Sequence, residues 1–353
     1  MRESCSRRWF GPALLLALVG AVPFADPAAA DPVADFYRGQ TITLLVGSNT
    51  GGGYDAYARP VSRHLGRFIP GEPNIVIKYM GTAGGIPAAN TLYTVSSKDG
   101  LTIGAVQRHI PFEVLRGNKN IVYDPFKFTS LGSLNSEVSV LTVRADAPQQ
   151  SAPELLTKPL IVGDLGNETD SDIESNAMVN LLEAPIRIIR GYSGTAENLL
   201  ALEKGEIQGL HGVSWSYVKT RKADWLRDKT VRILLQTGGP HRDLKDVPTI
   251  YSLVMSEEVR QIWDLILAPK VMSRPYLLPP GVPAERVAAL RTAFERLAQD
   301  PAFLAEMDRT KTEVSYLSGA ESERLISRVY AFPPEIVARM VDAISSREKV
   351  PAR

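Results

Sequence analysis

Cysteine is nearly absent from this chain of 353 residues. The single cysteine, Cys5, lies before the first apolar run, in a segment that we expect to be removed, so no disulfide and no thiol chemistry remain. The four histidines are far apart, and none stands in an HExxH or similar metal-ligand pattern. No G-x-S-x-G nucleophile elbow occurs either. These gaps argue against an enzyme and against a metal centre.

The chain also lacks a charge excess and a membrane span. It has 40 Lys and Arg against 39 Asp and Glu, a net charge of +1. This balance argues against nucleic acid or a membrane surface as a partner. The apolar run from Ala13 to Val22 is too short to cross a membrane, and no other run approaches that length.

Residues 1–30 are organised like a signal peptide. Arg7 and Arg8 form a basic start, the apolar run follows, and Ala28 to Ala30 offer small residues for cleavage. The paired arginines also fit a twin-arginine export signal, although we favour an ordinary secretory one. We therefore expect a periplasmic protein, cleaved near Ala30, whose mature chain is long enough for two domains.

Two strand, glycine-loop and helix units follow in succession. In the first, a β-branched run from Thr41 to Val46 leads to Gly51-Gly52-Gly53 and then to helical spacing. In the second, a strand from Ile75 to Met80 leads to Gly81-Thr82-Ala83-Gly84-Gly85 and a helix from Ile86. Glycines allow close backbone approach, and the first helical turn leaves unpaired N–H groups, so the pattern indicates an anion site. Neither loop has a phosphate-loop lysine or GxGxxG spacing, so we expect no nucleotide and no other cofactor.

Strands and helices alternate through the rest of the chain, which is typical of an α/β protein. A proline-rich stretch, residues 145–159, predicts a passage into a second lobe, where Ser171 with Glu174 resembles a capping box. Further on, Leu265 to Ala268 predicts a strand, and Ser318 with Glu321 predicts another capping box. We assign lobe 1 to residues 31–143 and 236–353, and lobe 2 to residues 144–235.

The candidate ligand-binding residues lie in loops at the expected edge of the two sheets. They are Ser48, Asn49, Thr50, Gly52, Gly53, Tyr54, Asp55, Thr82, Ala83, Gly84, Gly85, Arg108, Asn167, Thr169 and Ser193. For Asp55 we favour stabilisation of the helix dipole over ligand contact, and for Arg108 we favour a solvated surface position over pairing with a ligand carboxylate. Nothing in the spacing decides whether Tyr54 is in the core or in the pocket.

Several short motifs along the chain resemble those of a known protein family. The matching residues are Gly51-Gly52-Gly53-Tyr54-Asp55 with Ala58-Arg59, Gly84-Gly85, Asp99-Gly100-Leu101-Thr102, Tyr123-Asp124-Pro125-Phe126, Gly166-Asn167, Gly191-Tyr192-Ser193-Gly194, Asp246-Val247-Pro248-Thr249 and Leu267-Ala268-Pro269. In order and spacing, the chain resembles the periplasmic solute receptors of tripartite tricarboxylate transporters, the Bug family. It departs from them at Thr50, where a proline is usual, and at Tyr54, where a small hydroxyl residue is common.

The resemblance implies a type II periplasmic-binding-protein fold, with two α/β lobes joined by two crossing strands and closing on a ligand. It implies a small carboxylate ligand, held by main-chain N–H groups and bridging waters, and delivery to the membrane permease subunits of a secondary transporter. We expect a monomer. Two alternatives remain open: a ligand-sensing partner of a membrane histidine kinase, and a periplasmic hydrolase or isomerase that uses His109 or His211.

Overall fold

Two separate sheets organise the chain in the computed structural model, which describes residues 1, 31–164, 166, 169–192 and 194–346. The predicted signal peptide, apart from Met1, lies outside these residues. The strands are β1 (Thr41–Val46), β2 (Asn74–Tyr79), β3 (Thr102–Ala105), β4 (Thr129–Ser133), β5 (Ser139–Arg144), β6 (Leu160–Gly163), β7 (Ile186–Ile189), β8 (Gly209–Ser214), β9 (Val231–Thr237), β10 (Pro275–Leu278) and β11 (Leu317–Ser318).

Helices cover both sheets. They are α1 (Pro32–Tyr37), α2 (Gly53–His64), α3 (Ile86–Thr94), α4 (Asp170–Leu182), α5 (Thr195–Lys204), α6 (Trp215–Arg221), α7 (Ala223–Arg227), α8 (Glu257–Val271), α9 (Ala284–Gln299), α10 (Pro301–Arg309), α11 (Gly319–Tyr330) and α12 (Pro334–Ile344). Short 3-10 helices lie at Leu65–Phe68, Ala83–Gly85, Ile110–Arg116, Pro125–Lys127, Pro153–Leu156 and Ile250–Leu253. Among the described residues, no helix combines the length and the apolar character that a membrane crossing needs.

The two sheets have similar mixed topologies. The first has the order β11-β4-β10-β3-β1-β2, with β1 parallel to both β2 and β3 and with β10 antiparallel to β3 and β4. The second has the order β7-β6-β8-β5-β9, with β6 parallel to β7 and β8 and with β5 antiparallel to β8 and β9. The carboxyl ends of β1 and β2 therefore meet at one edge, as the glycine-loop pattern predicts.

Each sheet has its own apolar core. The core of the first sheet includes Ile42, Leu44, Val61, Tyr276 and Phe294. A second cluster joins the other sheet to α4, α8, α11 and α12, and includes Leu141, Ala177, Trp263, Ile326 and Met340. The end of α12 is also tied to α4, because Asn180 donates to the Ala343 carbonyl at 2.8 Å. The C-terminal helix therefore stabilises the lobe built on the second sheet.

Two adjacent segments connect the sheets. Residues 134–138 run from β4 to β5, beside residues 270–274, which lead from α8 into β10. Glu137 N donates to the Lys270 carbonyl at 2.9 Å, and Ser273 N donates to the Asn135 carbonyl at 2.9 Å. Because β5 begins at Ser139, the chain enters the second sheet five residues before the predicted lobe boundary at 143/144. The lobe assignment by residue number stays a prediction.

The predicted strand from Leu265 to Ala268 is wrong. These residues lie inside α8, and Pro269 also lies within this helix. Nearly every residue from Ile262 to Lys270 is buried, because α8 packs against α4 and α12. Leu265 to Ala268 is a run of four consecutive buried residues, and a run this short has no period that distinguishes a helix from a buried strand.

One of the two predicted capping boxes is present. Ser318 and Glu321 form it at the start of α11, with each side chain bonded to the backbone of the other. The box predicted for Ser171 and Glu174 is wrong, because α4 begins at Asp170 and its N-cap is Thr169. Glu174 lies one turn further along, buried, and takes part in a different interaction described below.

The two glycine loops pack directly against each other. A Cβ atom on Gly81 would lie 2.3 Å from the Ser48 carbonyl carbon and 2.4 Å from Asn49 N. A Cβ atom on Gly85 would lie 2.5 Å from the Gly47 carbonyl oxygen. Since these partners are backbone atoms, which cannot rotate away, the loops approach this closely only without side chains.

We predict that Gly81→Ser lowers the free energy of unfolding by about 1–3 kcal/mol, because its Cβ forces the two loop backbones apart. The matched control is Gly52→Ser, where an added Cβ meets nothing within 4 Å and where serine is a favoured N-cap. Urea denaturation compares the two. Equal stability of the two variants would contradict the proposed close packing.

Candidate functional site

A cavity of about 700 Å³ lies between the two sheets. One wall comes from the glycine loops, through Gly53 and Gly84, and from the segment after β3. The opposite wall comes from the start of α4, the start of α5 and the end of β8, and α8 contributes Lys270. The cavity therefore lies where the two lobes face each other, the usual position of a ligand in a two-lobed protein.

Three of the described helices begin at this cavity without a side-chain cap: α2 and α3 on the glycine-loop wall, and α5, whose N-cap is Gly194, on the opposite wall. The N-cap of α2 is Gly52 and that of α3 is Gly85, and glycine has no side chain that could accept from the first-turn N–H groups. Ala83, Gly84 and Gly85 have φ values of 45°, 63° and 78°, so three consecutive residues take the left-handed conformation. The positive ends of the two helix dipoles on the glycine-loop wall make it suitable for an anion. In α3, Ile86 N already donates to the Ala83 carbonyl and the next residue, a proline, has no N–H.

Asp55, in the first turn of α2, stabilises the first glycine loop through hydrogen bonds. It is buried, and it accepts hydrogen bonds from Gly51 N at 2.7 Å, from Arg59 Nε at 2.9 Å and from the Tyr79 hydroxyl. Burial opposes ionisation of this carboxyl, but the three hydrogen bonds outweigh burial and lower its pKa. Asp55 does not line the cavity, which agrees with the structural role favoured from the sequence.

The predicted ligand residues fall into three groups. Those that line the cavity are Gly53, Tyr54, Ala83, Gly84, Arg108 and Thr169. Those that do not line it are Ser48, Asn49, Thr50, Gly52, Asp55, Thr82 and Gly85, of which Asn49, Thr50, Gly52 and Thr82 are exposed. Asn167 and Ser193 lie outside the described residues.

Arg108 connects the two lobes across the cavity. Its guanidinium donates to the Asp170 carboxylate at the start of α4, and its backbone N donates to the Tyr54 hydroxyl at 2.9 Å. Burial would raise the pKa of Asp170, but Arg108 and Lys270 reverse this effect and lower it to about 2. The sequence-based preference for a solvated Arg108 is therefore wrong, since only tertiary structure brings Asp170 to it.

Lys270 and Glu174 form a buried ion pair beneath Asp170. Lys270 Nζ contacts Glu174 Oε1, lies 3.5 Å from Asp170 Oδ2 and donates to Ser139 Oγ at 2.6 Å. Glu174 also accepts from Thr237 Oγ1 at 2.7 Å. Burial raises the pKa of Glu174. The pair joins α8 to α4 and to two strands of the second sheet.

Arg274 lies beside the first glycine loop. Its guanidinium is 4.6 Å from the ring centre of Tyr54 and 5.1 Å from that of Tyr57, which are cation–π distances. One of its nitrogens lies 3.7 Å from Glu137 Oε2, and Glu137 accepts from Ser214 Oγ at 2.7 Å. Tyr54, undecided from the sequence, therefore serves as a wall residue that positions a cation.

Solved structures of known proteins were compared with this one. A TctC solute-binding protein from Polaromonas, solved without ligand, matches with a TM-score of 0.68 and 19% identity over 86% of this chain and 99% of that chain. A Rhodopseudomonas palustris protein solved with adipate matches with a TM-score of 0.60 and 20% identity over 86% of this chain and 97% of that chain. MatC from the same species, solved with malate, matches with a TM-score of 0.56 and 20% identity over 87% of this chain and 99% of that chain. This chain has the type II periplasmic-binding-protein fold.

The likeness confirms the fold class predicted from the sequence and extends the resemblance to the tripartite tricarboxylate receptors into three dimensions. At these identities it establishes the fold alone. No protein-family model matches the chain. A search of curated proteins finds no match either.

Several polar residues of the cavity of this periplasmic-binding fold were not predicted as ligand residues. They include Glu137, Asp170, Glu174, Asn198, Lys270 and Arg274. Lys270 was not considered as a cavity residue because the segment before it was predicted to be a strand. Glu174 was not considered because it was assigned to a capping box. His211, considered only for catalysis, also lines the cavity and is buried. Burial lowers its pKa to about 3, so the ring is neutral.

A second polar cluster joins the lobes outside the cavity. The ligand atoms of His241, Asp243 and Glu313 lie within 4.8 Å of one another, a spacing that could hold a metal ion. Lys219 Nζ lies 2.7 Å from Asp243 Oδ2 and also donates to Glu313. Its ammonium already supplies the positive charge there, so the cluster serves as an ion-pair contact between α6 and the loop after α10.

We predict that Lys270→Met lowers the free energy of unfolding by about 3–5 kcal/mol at pH 7, because it leaves the buried Glu174 carboxylate without its cation. The double variant with Glu174→Gln should recover most of the loss. Exposed Lys245→Met is the control and should change little. Urea denaturation measures all three, and a double variant as unstable as the single one would contradict the proposed pairing.

Proposed function

We propose that this protein is an extracytoplasmic solute receptor that binds a small organic anion between its lobes and delivers it to a tripartite tricarboxylate-type permease. The observation behind this proposal is the cavity between the two sheets. One of its walls holds the uncapped N-termini of α2 and α3. It is supported by two proteins of the same fold that were solved with carboxylates, malate and adipate.

The ligand carboxylate would lie against the N–H groups of the two glycine loops, near Gly53 and Gly84. Thr169 and Thr195 line the opposite lobe and would donate hydroxyl groups, directly or through water. Loop residues that do not line the cavity, such as Ser48 and Asp55, would act by fixing the loop backbone through their hydrogen bonds to it. Asn167 and Ser193 remain predicted contacts of the second lobe.

Lobe closure would be the only mechanical step. The paired segments at residues 134–138 and 270–274 are the proposed hinge, since they connect the sheets and can change backbone angles together. Closure excludes water, which strengthens the contacts between peptide N–H groups and a carboxylate. The Arg108–Asp170 ion pair then forms across the cleft and helps to hold the lobes together.

We propose that the mature protein is periplasmic, monomeric and non-catalytic, consistent with the predicted signal peptide and with a fold shared with periplasmic binding proteins. The alternatives of a sensory partner and of a hydrolase or isomerase receive no specific support from the geometry. The buried His211 is neutral and has no serine or cysteine nucleophile paired with it among the described residues.

Isothermal titration with a panel of mono-, di- and tricarboxylates tests the binding step. We expect at least one acid to bind, and we expect Thr195→Trp to abolish its binding by filling the cavity. Leu200→Trp, at an exposed position of the same helix, is the control and should bind normally. Failure of every acid to bind would contradict the proposal.

Uptake measurements test the delivery step. The molecule that copurifies with the protein is identified by mass spectrometry, and its uptake is then measured in cells with and without the receptor. We expect deletion to abolish uptake and the Leu200→Trp variant to restore it. Unchanged uptake in the deletion strain, with altered gene expression in response to the ligand, would favour the sensory alternative.

A further inference from the structure

Among the residues that the structure describes, the cavity wall carries equal numbers of positive and negative side chains. Its cations are Arg108, Arg116, Lys270 and Arg274, and its carboxylates are Glu113, Glu137, Asp170 and Glu174. Each cation is within ion-pair distance of one of these carboxylates, in the pairs Arg108–Asp170, Arg116–Glu113, Lys270–Glu174 and Arg274–Glu137. The side chains alone therefore leave no positive charge for a ligand to neutralise.

The histidines of the cavity do not change this balance. Burial lowers the pKa of His211 to about 3, and burial also lowers the pKa of His109. The His211 ring is therefore neutral, and protonation of His109 is disfavoured relative to a free imidazole. The remaining positive potential comes from helix N-termini. Those of α2 and α3 lie on the glycine-loop wall, each equivalent to about half an elementary charge, and together they match about one carboxylate there. That of α5 lies on the opposite wall of the cavity.

A second ionised carboxylate would have to compete with Asp170, Glu174 or Glu137 for its cation. Opening such a pair leaves a buried protein carboxylate without its partner, which is strongly unfavourable. The cavity is therefore selective against ligands with two or more negative charges, although carboxylates as a class fit the loop wall.

Beyond the loops the cavity offers neutral and apolar surface. His211 is 1% exposed, and its Nε2 lies 3.3 Å from Glu174 Oε2. The Asn198 side-chain oxygen is buried against Gly163, since a Cβ atom there would lie 1.9 Å from it. The apolar part of the wall is formed by Phe112, Leu115, Ile173, Ile266, Met340 and Ile344. A volume of about 700 Å³ is far more than a four-carbon acid would fill, and it suits a ligand with a hydrocarbon or aromatic body.

We propose that the occupant is an amphipathic monocarboxylate, with its single charge at the glycine loops and an apolar body against the wall of α4, α8 and α12. This inference rests on the proposed receptor function, and it names the class of ligand. It places dicarboxylates and tricarboxylates among the weak ligands of this protein.

Titration calorimetry with ligands matched in carbon number tests the inference. The probes are octanoate, octanedioate and octanamide, together with 3-phenylpropanoate as an aromatic monocarboxylate. We expect at least one of the two monocarboxylates to bind, and octanoate to bind about tenfold or more tightly than octanedioate and than octanamide.

Octanedioate binding as tightly as octanoate would overturn the inference and leave the receptor function intact. Equal binding of octanamide would overturn the single-charge element. Absence of binding by every carboxylate, in this set and in the wider panel, would overturn the receptor function as well.

Glu137→Gln probes the charge balance directly. The variant keeps an acceptor for Ser214 but leaves Arg274 without its carboxylate, so the affinity for octanedioate relative to octanoate should rise about tenfold. Glu285→Gln, at an exposed position on α9, is the control and should leave the ratio unchanged. A Glu137→Gln protein that unfolds as the wild type does and keeps the wild-type ratio would overturn the inference.

Discussion

The contact between the two glycine loops is the constraint on which the rest of the site depends. Gly81 lies against the backbone of Ser48 and Asn49, and Gly85 lies against the Gly47 carbonyl, at distances that no side chain would allow. This contact brings the starts of α2 and α3 to one wall of the cavity. Because glycines also occupy both N-cap positions, no side chain caps either helix and the positive ends of both dipoles face the cavity.

Much of this arrangement could be predicted from the sequence because it is local. Strands β1 and β2, the loops that follow them and the capping box of α11 each depend on residues close together in the chain. Glycine and proline mark such turns with little ambiguity. The order of short motifs then indicated the fold, although each motif alone carried little information.

The charged part of the cavity could not be predicted, because its pairs are distant in sequence. Arg108 meets Asp170, and Lys270 meets Glu174, only after the lobes have folded and come together. The apolar run around Leu265 is too short to show a helical period, so the sequence did not indicate that Lys270 lies near the end of a buried helix. A buried ion pair leaves no local pattern that distinguishes its members from surface charges.

The Arg108–Asp170 pair has a consequence for the empty protein. It spans the cleft with both side chains partly exposed, and the Lys219–Glu313 contact does the same outside the cavity. Two ion pairs of this kind favour the closed conformation even before a ligand binds. A solute can reach the glycine loops only while the lobes are open and both ion pairs are broken, so the frequency of opening limits the association rate. Dissolved salt screens the charges of these pairs and therefore raises that rate.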